Sequence, residues 1–139
     1  MIMLHDTYEY KHNFTQQEVE MFAELTGDKN PLHLNKKFAK ESEFGDQIVH
    51  GMLVGAIFSK VFGTMWPADD SVYISQDLMF MSPVYVGRDY TLKFTCSEVD
   101  RTRKIGTITA IMKDSQGKDV VKVKAKIKSN KHFSNPNLN

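Results

Sequence analysis

Residues 48 to 66, "IVHGMLVGAIFSKVFGTMW", are the part of this chain that is hardest to place in water. At helical spacing their apolar side chains fall on nearly every side, with His50, Ser59 and Lys60 as interruptions. A helix that is apolar all round has no face for solvent and has to be enclosed. These interruptions leave the run short of the ~20 largely apolar residues of a membrane span, so the enclosing material is protein.

The wrapping follows in sequence. After Pro67 the stretches "SVYISQDLMFMSPVYVG", "DYTLKFTCSEVD", "KIGTITAIMKDSQGKD" and "VVKVKAKIKSN" are rich in Val, Ile, Thr, Tyr and Phe, with turn signals at "VGRD" and "SQGKD". In "VVKVKAKIK" the alternation is strict. Val121, Val123, Ala125 and Ile127 point one way, and Lys122, Lys124, Lys126 and Lys128 point the other. That pattern describes a sheet with one packed face and one wet face. A buried helix followed by antiparallel strands predicts an α+β domain in which a curved sheet wraps a long central helix. The expected unit is one domain over residues 1–139, with its core at about 12–128 and with 129–139 as a frayed polar tail.

Ahead of the apolar helix, "FTQQEVEMFAELTGD" reads as a shorter helix. Thr15 and Glu18 match a capping box, Val19, Phe22 and Ala23 form a stripe, and Gly27 is a C-cap. Asn30-Pro31 biases the chain away from helix, so Asp28 to Asn35 is expected to be a structured loop, with a helical piece in "NKKFAKES" after it. A chain of 139 residues with 41% apolar and 25% charged content can bury a real core. A net charge of +1 gives no global reason to expect nucleic acid or a membrane surface as partner. Cys96 is the only cysteine, so no internal disulfide is possible and a reducing, cytoplasmic setting is expected. The opening "MIMLHDTYEYKH" has early acids and no apolar run of signal-peptide length, so export is not expected.

Two stretches carry the chemistry, "GDKNPLHLN" at 27–35 and "IVHGM" at 48–52. Taken as residue types alone, an acid and a histidine five apart usually cap a turn or sit on the surface. Gly51 would permit close helix–sheet packing, and Ser59 would bond back to a helix carbonyl. His5, His12 and His132 lie in terminal or polar surroundings without metal-ligand spacing. With one cysteine and no His-x-x-x-His, no metal site is expected.

Taken in order, "GDKNPLHLN", "IVHGML", the "FS" of the apolar helix and "QDLMFMSPVYVGRD" resemble the MaoC-like family, and within it the (R)-specific enoyl-CoA hydratases, over roughly residues 12 to 128. The resemblance implies a hot dog fold and a homodimer that pairs two sheets. It also implies reversible addition of water to trans-2-enoyl-CoA, giving (3R)-3-hydroxyacyl-CoA, with no cofactor. That reaction needs water at the β-carbon, a proton at the α-carbon and stabilisation of charge on the thioester oxygen. A histidine titrating near neutrality and a carboxylate suit the first two tasks.

By resemblance Asp28 and His33 are that pair, with Asn30 and Pro31 shaping the turn between them. Gly51 opens the apolar helix, where unpaired N–H groups and the positive dipole end would receive the oxyanion. Ser59 would support the pair, and His50 is read as a helix-cap or core histidine with satisfied hydrogen bonds rather than a second base. The implied partner is an acyl thioester of coenzyme A or acyl carrier protein. Its phosphates make Arg88, Arg101, Arg103, Lys104 and the lysine stripe eligible contacts, which the sequence does not rank. The Met and Phe residues of "DLMFMSP" are core by default, some of them lining an acyl tunnel. The alternative of another class is a non-catalytic thioester-binding or assembly subunit. A thioesterase of this fold would need a carboxylate on the central helix, and residues 51–66 contain none.

Overall fold

In the computed structural model, which describes residues 1–137, the apolar segment is helix α4, Gly51–Thr64. Leu53, Val54, Ile57, Phe58, Val61 and Phe62 are buried along it. Against them lies a five-stranded antiparallel sheet in the order β1-β3-β4-β5-β2, from β1 Thr7–Asn13, β2 Val72–Phe80, β3 Asp89–Asp100, β4 Ile105–Lys113 and β5 Asp119–Lys128. The alternation in β5 sorts as its pattern requires, with the aliphatic side chains buried and the lysines exposed. Leu92, Phe94, Ile108 and Met112 add the packed faces of β3 and β4 to the same core.

Strand β1 extends the sheet ahead of the expected core limit at residue 12. Its pattern is weak because it is an edge strand paired only with β3. Tyr8 and Tyr10 give it a half-buried face, and Thr7, Glu9 and Lys11 face solvent. The opposite edge is β2, paired only with β5. This corrects the reading of "DLMFMSP" as core by default: Met79 is 60% exposed, and Phe80 and Met81 are exposed too. An edge strand has a neighbour on one side only, so large side chains can remain uncovered there.

Helix α1, Gln16–Thr26, begins at Thr15, whose hydroxyl accepts from the Glu18 N–H (3.1 Å), and ends at Gly27 with φ 78°. The reciprocal half of the capping box is replaced, because the Glu18 carboxylate instead meets His12 Nε2 at 2.9 Å. The expected loop from Asp28 to Asn35 contains a turn of helix, α2, Pro31–Leu34. Proline does keep Asn30 extended, but at the first helical position its fixed φ and missing N–H favour starting a new helix. Helix α3, Lys36–Glu41, follows and is capped by Asn35.

The reading of 129–139 as a frayed tail is corrected over its first residues; positions 138 and 139 lie outside the described residues. Asn130–Phe133 form a short helix, α5, and Phe133 is fully buried. The Asp70 carboxylate accepts from Ser129 Oγ (2.5 Å) and from the N–H groups of Asn130 (2.8 Å) and Lys131 (3.1 Å). Polar composition hid a single aromatic anchor and a carboxylate cap supplied from a distant loop.

Candidate active site

Asn30 and Pro31 build the turn that carries His33. The Asn30 side chain accepts from the Leu32 N–H (3.0 Å), and the Asp28 carboxylate accepts weakly from the Asn30 N–H (3.4 Å). His33 is only 8% exposed. Its Nδ1–H donates to the Ile48 carbonyl (2.7 Å), which fixes the tautomer and leaves Nε2 with its lone pair. Burial lowers the His33 pKa from its ordinary value of 6.5, opposed by the Ile48 hydrogen bond; nearby His50 lowers it further and Asp28 raises it. At neutral pH this imidazole is therefore the neutral, basic form.

His50 is 2% exposed and packs against His33, with ring centroids 3.9 Å apart and the planes tilted by 33°. Its Nε2–H donates to the Asp28 backbone carbonyl (2.9 Å), so the segment carrying the acid is moored to the start of α4. The expectation of a core histidine with satisfied hydrogen bonds holds at Nε2 and fails at Nδ1, which is buried with no partner among the described residues. His50 occupies the N-cap position of α4 without making a side-chain cap bond.

The Asp28 carboxylate is exposed, yet one of its oxygens and one ring nitrogen each of His33 and His50 all lie within 4.8 Å of one another. Two polar atoms at that separation can share one water at ordinary hydrogen-bond lengths. These donor types also suit a divalent cation. Sequence spacing did not announce that grouping, because His50 reaches the pair through tertiary contact and not through a helix or turn period.

A cleft of about 350 Å³ adjoins His33 and is lined by it with Gly51, Val54, Phe80, Met81 and Pro83, among others. Gly51 thus lies at the first turn of α4 on the same cleft as His33. Its packing role is present as well, since a Cβ there would lie 3.0 Å from Phe80 Cζ. Ser59, expected beside the pair, lies eight residues further along α4, roughly 12 Å by helical rise, exposed on a different cleft with Tyr73 and Gln76. Within one chain the structure does not bring it to His33. Phe80 and Met81, from the "DLMFMSP" stretch whose Met and Phe residues were expected in the core or along an acyl tunnel, line this cleft, and Phe44 joins them without having been singled out.

The chain resembles known proteins in both sequence and fold. Residues 5–129 match the MaoC like domain. The chain is 40% identical over 96 residues to the (R)-specific enoyl-CoA hydratase of Aeromonas caviae, covering 69% of this chain and 72% of that protein. It is 39% identical over 94 residues to the 3-hydroxybutyryl-CoA dehydratase of Methylorubrum extorquens, covering 68% of this chain but only 60% of that relative. The solved structure of the A. caviae (R)-hydratase superimposes with a TM-score of 0.87 at 33% identity, covering 91% of this chain and 96% of that one. A sheet wrapped on a central helix is the hot dog arrangement that this neighbour shares. Because the family match runs from before the first strand to beyond the last, the chain belongs to the MaoC-like family.

Proposed function

We propose that this protein is an (R)-specific enoyl-CoA hydratase, adding water reversibly to trans-2-enoyl thioesters and giving (3R)-3-hydroxyacyl products without a cofactor. The observation that carries the reading is that Asp28 meets His33, whose Nε2 keeps its lone pair, and that His33 shares a cleft with the Gly51 end of α4. A water held between the carboxylate and the imidazole loses one proton to the pair as its oxygen attacks the β-carbon. Negative charge moves to the thioester oxygen, where the Gly51 N–H at the positive end of α4 receives it. The pair then returns one proton to the α-carbon, so one water is added and both groups regain their starting state. His50 acts as a positioning residue through its bond to the Asp28 carbonyl.

The substrate is an acyl thioester of coenzyme A or acyl carrier protein; relatives named for each carrier support the class. The working unit is a homodimer formed across the open edge of β2, where Val72, Ile74 and Met79 are uncovered. Cys96 is buried and unpaired, which suits a reducing compartment, and no helix among the described residues is long and apolar enough to cross a membrane.

The test is the loss of conjugated enoyl absorbance from trans-2-butenoyl-CoA on adding purified protein, with chiral analysis of the product. It is run with and without a chelator, because Asp28, His33 and His50 also form a cation-type donor set. Metal-independent formation of the (3R) alcohol is expected. A folded protein that leaves the absorbance unchanged would be a thioester-binding subunit, and chelator-sensitive activity would replace the acid–base pair by a metal centre.

A further inference from the structure

Carrier phosphates need a cation, and the structure separates the candidates that sequence left equal. Arg101 is committed inside the molecule: its guanidinium donates to the carbonyls of Ile2 (2.9 Å) and His132 (3.2 Å). Arg103 and Lys104 lie in the turn after β3, and Arg103 faces Asp100 there. The catalytic cleft is instead near the loop before β3, through Ser82 and Pro83. A twelve-residue strand separates those ends by roughly 35 Å. Lys122, Lys124, Lys126 and Lys128 occupy the solvent face of β5, while its buried face is the one turned to the core.

Arg88 is placed differently. It lines a second cavity, of about 340 Å³, which shares Ser82 and Pro83 with the catalytic cleft. Its guanidinium carbon sits over Tyr85, 3.9 Å from the ring centroid, and it makes no ion pair with a carboxylate among the described residues. The Tyr85 hydroxyl donates to the carbonyl of Phe44 (2.9 Å), a residue of the catalytic cleft wall. The Tyr85 ring is thereby tied to the site. Lys118 lines the same cavity. Two acids share it, each with an oxygen already engaged: Asp89 accepts from Asn13 (3.0 Å), and Asp114 from the Gln116 and Lys118 N–H groups (both 2.9 Å). A guanidinium held over an aromatic ring and outside any carboxylate ion pair keeps N–H donors for phosphate oxygens.

We propose that the cavity of Arg88, Tyr85 and Lys118 receives a phosphate of the substrate's pantetheine carrier arm, with Arg88 as its principal contact. The assignment rests on the hydration reading and deepens it. The arm leaves the thioester at Gly51, passes Ser82 and Pro83, and ends on the Arg88 guanidinium.

Steady-state kinetics on three butenoyl thioesters test it: coenzyme A, 4′-phosphopantetheine, and pantetheine without phosphate. R88Q should raise KM for the CoA thioester about three- to tenfold at a kcat held within about twofold, and should move KM for the pantetheine thioester by less than about twofold. R103Q should move neither. An R88Q effect of equal size on the phosphopantetheine thioester identifies the phosphate that both carriers share; an effect confined to CoA identifies the nucleotide phosphates. Equal shifts with and without phosphate, no shift at all, or an R103Q effect matching R88Q would overturn the assignment alone. A wild-type protein that hydrates none of the three removes the hydration reading and this assignment together.

Discussion

His33 and His50 each place a hydrogen on the nitrogen that faces a carbonyl, Ile48 for one and Asp28 for the other. Burial, with the His50 ring packed alongside, disfavours charge on His33 and keeps it in its basic form. The kcat/KM profile should therefore rise with pH through a midpoint below 6.5, the ordinary histidine value. A midpoint above that value would show that His33 is not the titrating base. Stability follows with a worked sign. The folded pKa is depressed, so between it and 6.5 the unfolded chain binds more protons. The His33 contribution is fully present above 6.5 and is lost as pH falls toward the depressed value, which denaturant midpoints across that window will show. Asp28→Asn and His33→Ala should each lower turnover about 10²–10⁴-fold, and the double variant by much less than the product. A single variant that folds and keeps more than about a tenth of the rate would remove that residue from the chemistry. Because His33 is buried and holds the Ile48 carbonyl, its replacement by alanine should also cost about 1–3 kcal/mol of stability. Asp28, being exposed, should cost little.

At the scale of elements, the start of α4 against β2 decides what enters the cleft. Phe80 lies over Gly51, and any β-carbon at position 51 must push that ring aside. Since Phe80 is exposed, the ring has room to move, so Gly51→Val should leave a folded protein. Turnover should nevertheless fall at least about tenfold, because the added bulk occupies the approach of the thioester to the helix N-terminus. Phe80→Ala in the same chain separates the causes. Recovery of turnover in the Gly51→Val/Phe80→Ala variant would mean that the clash with Phe80 was the whole effect and that Gly51 only permits packing. A persistent loss supports the oxyanion role.

Across the whole molecule, the segment after β5 is fastened to the sheet by one ring. A β-carbon at Gly106 on β4 would stand 2.2 Å from Phe133 Cζ, and Phe133 is fully buried. Gly106→Ala should therefore destabilise by about 1–3 kcal/mol through overpacking, and Phe133→Ala by about 3–5 kcal/mol. In the double variant the added methyl meets the space the ring left, so the sum should exceed the measured loss. Additive losses in chemical denaturation would contradict the contact. The free edge of β2 carries the other whole-molecule expectation. Light scattering at micromolar concentration should give about twice the 15.9 kDa of one chain. Ile74→Lys with Met79→Lys should shift it toward the monomer, while a wild-type monomer would rule out pairing across this edge.

Periodicity alone determined the buried helix and the packed face of β5, because both patterns repeat over many residues and admit one solution: enclosure for α4, one dry face for Val121 to Ile127. Local chemistry also showed through at Thr15, Gly27 and Asn30, where a cap is made by neighbours in sequence. Other features exist only between distant segments. Strand β1 acquires its identity from pairing with β3, and the 129–133 segment from Asp70 and Gly106. The turn carrying Asp28 and His33 was legible as a motif, but its electrostatics were not. The Ile48 carbonyl that sets the His33 tautomer is 15 residues away, and the His50 ring that helps hold His33 neutral is 17 away. Burial and hydrogen-bond partners are properties of the folded neighbourhood, so tautomer and proton affinity are decided only when the tertiary structure closes.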